Sequence, residues 1–232
     1  MKNFKNKHQF YFVQLVACAA AAVLCLSGCG SGSGSAGSDL SADDGKTAIM
    51  NASTLVINGD NNAINDNCPI LADDRTVGSW IESGFVDTKW TVSAGSDEWF
   101  YFTDEASDNL PNKRELVFRS YTIYDMSDQR MGYLCESTAN ADGTGDDRFY
   151  FYDADGNEKE YYADGDLTAI YDANGTLLVS SHYAMAPMGL SDAQKYDLTI
   201  QVSNNEQVDI WDELSLIIGQ QTVIRRKETR DN

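Results

Sequence analysis

The feature that most constrains the fold is a series of short β-prone runs separated by Gly, Asn and Asp clusters. No long segment shows sustained helical periodicity, so the runs indicate strands. Their number and spacing favour an all-β chain, with an antiparallel meander closed as a barrel or a sandwich. Of the two, we expect a single barrel of about eight to ten strands. The candidate strands are residues 77–82, 98–103, 115–124, 131–136, 148–152, 158–162, 167–171, 177–183, 196–202, 208–211, 214–218 and 221–226.

Three hairpin signals follow one another in the centre of the chain: Asp155-Gly156, Asp164-Gly165 and Asn174-Gly175. Such pairs suit two-residue type I′ turns, because they tolerate positive φ angles. Loops of that length would fix the register. One face would then carry Phe149, Phe151, Tyr162, Leu167, Ala169, Tyr171 and Leu178, and the other Tyr150, Tyr152, Tyr161, Ile170 and Val179.

The N-terminus has the layout of a secretory signal. Lysines at positions 2, 5 and 7 precede an apolar run, residues 10–26, that only Gln14 interrupts. The run ends in Leu26-Ser27-Gly28-Cys29, which resembles the bacterial lipobox. That resemblance implies cleavage before Cys29 and lipid, such as palmitate, on the new terminus. An uncleaved membrane helix is the alternative, although the run is at the short limit for a span.

The predicted organisation has four parts: a signal peptide (1–28), a flexible tether (29–67) that is first Gly/Ser-rich and then Asn/Asp-rich, a β-barrel domain (68–227) and a tail (228–232). We therefore expect an exported chain, anchored by lipid to the outer face of the cell membrane, or to the outer membrane of a two-membrane cell. Cleavage removes three lysines and no acid, leaving 14 basic against 36 acidic residues and a formal charge of −22. Such a chain repels nucleic acid, so we expect no nucleic-acid partner.

Two cysteines, Cys68 and Cys135, remain after lipidation of Cys29. Two thiols in an exported protein commonly pair, so one expectation is a disulfide between Cys68 and Cys135. Two reduced, independent cysteines are the alternative, because spacing does not establish the geometry of a bridge.

The ends of the domain resemble lipocalin-like domains of bacterial lipoproteins. Gly78-Ser79-Trp80 opens the domain, and Arg225-Arg226 lies in its last apolar segment. The resemblance implies that Gly78 and Trp80 begin the first strand. It also implies that Arg225 or Arg226, on the last strand, packs over the Trp80 indole to close the barrel. A generic β-barrel with a buried tryptophan remains the alternative.

The sequence carries no specific catalytic signature. The mature chain has one histidine, His182, and no nucleotide-binding or zincin motif, so we expect neither enzymatic activity nor a cofactor. Asp153, Asp155 and Asn157, with Asp164 at position 12, have the spacing of a calcium loop. The glycine, however, is at the fourth position rather than the sixth, and a hairpin turn explains the same residues.

Two functions therefore follow from the sequence. The first is a non-catalytic lipoprotein whose barrel binds a small apolar or amphipathic ligand. The second is a surface interaction or structural lipoprotein whose barrel is filled by side chains. The bulk of the inward-facing groups distinguishes the two.

Overall fold

The computed structural model describes residues 39–60, 67–84, 88–104, 117–137, 147–187 and 196–231. Two helices and twelve strands follow one another in these residues. They are α1 (Ala42–Asn51), β1 (Thr54–Asp60), β2 (Cys68–Ala72), β3 (Arg75–Ser83), β4 (Lys89–Ala94), β5 (Asp97–Asp104), β6 (Val117–Asp125), β7 (Arg130–Ser137), β8 (Arg148–Asp153), β9 (Glu158–Asp164), β10 (Ala169–Asp172), β11 (Leu177–Pro187), β12 (Tyr196–Ser203) and α2 (Ile210–Asp231).

The strands form a closed antiparallel barrel, which confirms the predicted fold class. Each strand pairs with the next one along the chain, and β1 pairs with β12 from Thr54↔Ser203 to Asp60↔Asp197 to complete the ring. Closure leaves no unpaired sheet edge. The ring has twelve strands, rather than the eight to ten expected.

Nine of the twelve predicted strands are present, and the last three are wrong. Residues 208–211, 214–218 and 221–226 lie in or just before α2, whereas β1, β2 and β4 were not predicted. The predicted tether is also too long, because α1 and β1 lie within residues 29–67. At the other end, residues 228–231 continue α2 rather than form a separate tail.

The central hairpins have three-residue loops, so their predicted register is wrong. The N–H of Asp153 donates to the carbonyl of Asn157, and the N–H of Gly156 donates back to that of Asp153. The same two hydrogen bonds recur in the next loop, where the N–H of Asp172 donates to the carbonyl of Thr176 and the N–H of Gly175 donates to that of Asp172. A type I turn followed by a residue with positive φ, here Gly156 or Gly175, is the usual three-residue hairpin loop.

The extra loop residue changes which aromatic side chains face inward. Tyr161 lies in the main core with Phe149 and Phe151, whereas Tyr162 belongs to a separate cluster on the outer face. Register determines the face because side chains alternate along a strand.

Helix α2 runs through the inside of the barrel. All ten residues from 212 to 221 are buried, which covers every side of the helix over almost three turns. Near its start, α2 contacts β9 through Asp212 and Lys159, and near its end it contacts β3 through Arg225 and Glu82. Five strands separate β3 from β9 in either direction around the ring, so the helix touches opposite walls.

The size of the inward-facing side chains differs around the wall, and this difference places the helix off centre. Inward-facing residues of β3 to β8 include Trp80, Phe100, Phe102, Phe149 and Phe151, all fully buried. Strands β9 to β12 carry smaller inward groups, such as Ala163, Val179 and Val202, and α2 packs mainly on β11 and β12. Large side chains on one side and a helix on the other therefore fill the interior.

Helix α1 packs against β3 and β4. The Ser41 hydroxyl caps its first turn by accepting the N–H of Asp44. Gly45 lies against the backbone of Gly95, in the β4–β5 turn, and a side chain at Gly45 would overlap that backbone. This close approach allows Ile49 to be fully buried in the core.

Candidate functional site

The predicted barrel closure is wrong, because Arg225 and Arg226 lie on a helix and not on a last strand. The guanidinium Nη2 of Arg225 lies 2.7 Å from Oε1 of Glu82, and Nη1 of Arg226 lies 2.9 Å from Oδ1 of Asp166. Trp80 is fully buried and its ring lies 5.8 Å from that of Phe102. Two arginine–carboxylate pairs thus connect the end of α2 to the barrel rim.

Gly78 has a packing role in β3. A side chain at this position would overlap the backbone carbonyl of Ser93 on β4. The glycine therefore permits a close approach beside the irregularity in the β4–β5 pairing that follows Val92.

Cys68 and Cys135 are not joined by a disulfide in the structure. Cys68, on β2, is buried in the main core, whereas Cys135, on β7, is buried in the separate cluster with Tyr133, Tyr150 and Tyr152. Four strands separate β2 from β7 along the shorter way around the ring. The thiols are on different faces of the wall, so a bridge would require the barrel to rearrange. Cys29 lies outside the described residues.

The calcium candidate is a hairpin turn stabilised by its own first residue. Oδ1 of Asp153 accepts the N–H groups of Asp155 and Asn157 at 2.9 and 2.8 Å, and Oδ2 accepts the Asn157 amide at 2.9 Å. These bonds lower the pKa of Asp153. Asp164 belongs to the next turn, where it accepts the N–H and the hydroxyl of Thr168. Within the described residues, no group of three acidic, His or Cys side chains could hold a metal ion.

A polar cluster surrounds the first turn of α2, and we call it the helix-base cluster: Lys159, Tyr161, Asp209 and Asp212. Lys159 Nζ lies 2.7 Å from Oδ2 of Asp209 and 2.6 Å from Oδ2 of Asp212. The Tyr161 hydroxyl donates to the same Asp212 oxygen at 2.6 Å. Burial raises the pKa of Asp212 to about 6, because it disfavours the charged carboxylate.

Glu213 is a second buried acid beside this cluster. Its Oε1 accepts the N–H of Asn205 at 2.7 Å, while Oε2 has no hydrogen-bond partner among the residues that the structure describes. Burial raises the pKa of Glu213 to about 8. Sequence reasoning missed these residues, although an acidic first turn after Asp209 and basic residues near position 226 are ordinary signals of a helix.

Seven tyrosines point outward from β5 to β10, and we call them the tyrosine face: Tyr101, Tyr124, Tyr133, Tyr150, Tyr152, Tyr162 and Tyr171. Six of them stack in three cross-strand pairs, including Tyr133 with Tyr152 and Tyr162 with Tyr171, whose ring centroids are 4.6 and 5.8 Å apart. Cross-strand aromatic pairs stabilise a sheet. Most of this face is buried: Tyr133 is 0% and Tyr152 2% exposed.

The tyrosine face becomes accessible at its β9–β11 end. Tyr162 and Tyr171 are half-buried there, and Leu177, the cross-strand partner of Tyr171, is 52% exposed. The guanidinium carbon of Arg148 lies 4.2 Å from the centroid of the Tyr162 ring. We call these four residues the exposed aromatic patch, in which Leu177 is exposed and Arg148, Tyr162 and Tyr171 are half-buried.

A surface groove lies between α1 and the β2–β3 turn. It has a volume of about 650 Å³ and is lined by Leu40, Asp44, Thr47, Ala48, Asn51, Ala52, Ala72, Asp73, Arg75 and Val77. None of its lining residues belongs to α2, which occupies the barrel interior.

In the part of the chain that the structure describes, neither helix is long and apolar enough to cross a membrane. Comparisons of the sequence with family models, with curated proteins and with solved structures find no match.

Proposed function

We propose that this chain is an exported, lipid-anchored protein that binds another macromolecule through the exposed aromatic patch, and that it is not an enzyme. The barrel then serves as a rigid scaffold. The observation that carries this proposal is the occupancy of the barrel interior by α2, with ten consecutive residues buried.

A filled interior favours the interaction protein over the ligand-binding barrel. A barrel that binds a small ligand needs an enclosed apolar cavity large enough for most of the ligand surface. Here the large side chains of β3 to β8 and the helix occupy that position. A ligand inside the barrel would have to displace α2, and with it the buried contacts of Leu214, Ile217 and Ile218.

The exposed aromatic patch has the composition of a protein-binding surface. Tyr and Arg are enriched at the centres of interfaces, where a rigid ring buries a large area at little cost in entropy. The guanidinium group of Arg148 lies over the Tyr162 ring and gives the patch a positive charge on a protein that is otherwise acidic. The formal charge of −22 after cleavage favours association with a partner whose surface is basic.

Export and lipidation rest on residues 1–29, where a charged start and an apolar run precede the lipobox-like Leu26-Ser27-Gly28-Cys29. Mass spectrometry of the protein purified from its host tests this part, with lipidated Cys29 expected at the N-terminus. A terminal peptide that retains Lys2, or a Cys29→Ala variant that is processed and membrane-held like the parent, would contradict it.

The proposal that the barrel interior holds no small ligand is tested in two steps. Native mass spectrometry of the full chain from its own host is followed by a thermal-shift screen of fatty acids, isoprenoids and tetrapyrroles. We expect no co-purified small molecule and no shift. A ligand at 100 times its dissociation constant would stabilise the fold by about 2.7 kcal/mol and raise the melting temperature by several degrees. Such a shift would restore the ligand-binding function.

The patch is tested by site-specific photocrosslinking in the producing cells. A photoreactive residue replaces Leu177, and a matched control replaces Met50 on α1, because the two side chains are 52% and 50% exposed. We expect one discrete protein adduct from position 177 that Tyr171→Ala weakens. Equal adducts from both positions, or none from position 177, would refute the proposed surface.

A further inference from the structure

The helix-base cluster has the geometry of a site for covalent cross-linking. We propose that the Lys159 amine condenses with the Asp212 side chain to form an intramolecular isopeptide bond. The bond would join β9 of the barrel wall to the first turn of α2. This inference is independent of the proposed binding function.

The two reacting groups are already in contact and enclosed. Lys159 Nζ lies 2.6 Å from Oδ2 of Asp212, and the two side chains are 12% and 1% exposed. The amine also lies 5.7 Å from the Tyr161 ring centroid and 5.6 Å from that of Trp211. A carboxyl carbon is one bond from its oxygen, so Nζ approaches the separation of about 3–3.5 Å from which attack begins.

Two further polar contacts of the cluster correspond to proton-transfer steps. Oδ2 of Asp209, 2.7 Å from Nζ, accepts a proton from nitrogen as the new bond forms. The Tyr161 hydroxyl, 2.6 Å from Oδ2 of Asp212, donates to the oxygen that leaves. Oδ1 of Asp212, which has no hydrogen-bond partner in the structure, remains as the amide oxygen.

The reaction needs no other reactant. A proton first moves from the ammonium to the carboxylate, which gives a neutral amine and a carboxylic acid. Burial by itself favours this neutral pair, whereas Asp212 and Asp209 raise the pKa of Lys159 and make the proton transfer the unfavourable first step. Nζ then attacks Cγ and passes one proton to Asp209, the Cγ–Oδ2 bond breaks, and Oδ2 leaves as water with a proton from Tyr161. Asp209 then gives its proton back to the Tyr161 oxygen, so both groups end as they began. In total, one ammonium and one carboxylate become one amide and one water molecule.

Enclosure also explains why the amide would persist. Groups held in contact react as though present at on the order of 10⁵–10⁸ M, which overcomes the tendency of amines and carboxylates to remain ionised and separate in water. The product removes both buried charges, whereas the unreacted ion pair retains them.

Intact mass spectrometry of the denatured full chain tests the proposal. We expect the wild-type mass to be lower than the sequence requires by one water, about 18 Da, after allowance for processing and lipid. Proteolysis should release one branched peptide that contains both Lys159 and Asp212. A wild-type mass without the deficit, and no branched peptide, would overturn the proposal whatever the variants do.

Three variants identify the groups involved. Lys159→Arg should abolish the deficit, whereas the matched control Lys89→Arg should retain it. Asp212→Asn should form the same amide by loss of ammonia, about 17 Da. A deficit that survives Lys159→Arg would instead indicate dehydration elsewhere, such as at Asp155-Gly156 or Asp164-Gly165, and would also refute the proposed bond.

Discussion

Single residues decide how closely α2 approaches the wall. Gly219 lies against the backbone carbonyls of Asp166 and Leu167 in the β9–β10 turn. Leu167 itself has a φ of 57°, a conformation that L residues seldom adopt, and its side chain is fully buried. The helix and the turn therefore constrain each other through backbone atoms, which rotamer changes cannot relieve.

Gly219→Ala should destabilise the fold by about 2–3 kcal/mol, because the new methyl group overlaps the Leu167 carbonyl. Urea unfolding measures the loss. Gly175→Ala is the matched control: its methyl group would meet only the Tyr162 hydroxyl, at 3.8 Å, although φ is 81°. We expect it to cost about 1 kcal/mol. Equal losses for the two variants would contradict the close approach of α2.

Glu213 should make the protein less stable as the pH rises. Its pKa rises from 4.5 in the unfolded chain to about 8 in the folded one, so the folded state holds the extra proton between these values. The contribution of Glu213 to the free energy of unfolding is therefore highest below about pH 4.5 and falls until about pH 8.

Glu213→Gln should therefore be more stable than the parent at pH 8 by a few kcal/mol, with little difference at pH 5. The amide retains the oxygen that accepts the Asn205 N–H. Urea unfolding at both pH values gives the comparison, and Glu206→Gln, at an exposed position, is the control. An unchanged pH slope in Glu213→Gln would show that this acid is not the cause.

At the scale of elements, the hairpins and α2 stabilise the fold in different ways. The β10–β11 turn, like the β8–β9 turn, is held locally: Oδ1 of Asp172 accepts the N–H groups of Asn174 and Thr176 at 2.9 and 2.7 Å. Helix α2 depends instead on long-range burial, because only the barrel removes its apolar residues from water.

Asp172→Ala should destabilise the protein by about 1 kcal/mol, since two backbone N–H groups lose their acceptor. The loss should be the same with calcium and with a chelator, because the carboxylate acts within the turn. Thermal unfolding in both buffers provides the measurement. A loss that differs between the two buffers would contradict this local role of Asp172.

Deletion of residues 206–232 should prevent the barrel from folding to a unique state, because the interior loses α2. Near-ultraviolet circular dichroism reports the loss of fixed aromatic packing. Adding a synthetic peptide of residues 206–232 should restore the signal. Deletion of residues 228–232 alone leaves the ten consecutive buried residues 212–221 in place and is the control. A shortened chain that folds like the parent would show that α2 is dispensable.

The whole molecule combines a filled barrel with a large excess of negative charge. In the described residues, three ion pairs join α2 to the barrel: Lys159 with Asp212, Arg225 with Glu82, and Arg226 with Asp166. The remaining acids are mostly on the surface, where they repel one another in the compact state.

Stability should therefore rise with ionic strength, because salt screens this repulsion. The urea midpoint is compared at 10 mM and 300 mM NaCl, and again in CaCl₂ of equal ionic strength. Equal gains in the two salts are expected. A larger gain in CaCl₂ would indicate specific binding of the divalent cation, and a loss in both would show that attractive pairs dominate.

Local chemistry made the barrel predictable from the sequence. Alternating apolar residues and Asp-Gly or Asn-Gly turns act over a few residues, so nine strands and the fold class could be read directly. Even here the loop length was decided by hydrogen bonds of Asp153 and Asp172 that the dipeptides alone do not specify. One extra residue in each loop was enough to change the face on which Tyr161 and Tyr162 lie.

The tertiary structure decided what fills the barrel and where the charged groups meet. A short apolar run such as residues 214–218 suits a buried strand or a buried helix equally well, and only a surrounding wall makes the helix favourable. Likewise, Lys159 and Asp212 are 53 residues apart in the chain. Their contact, and the chemistry that we propose for it, exist because the closed ring brings β9 against α2.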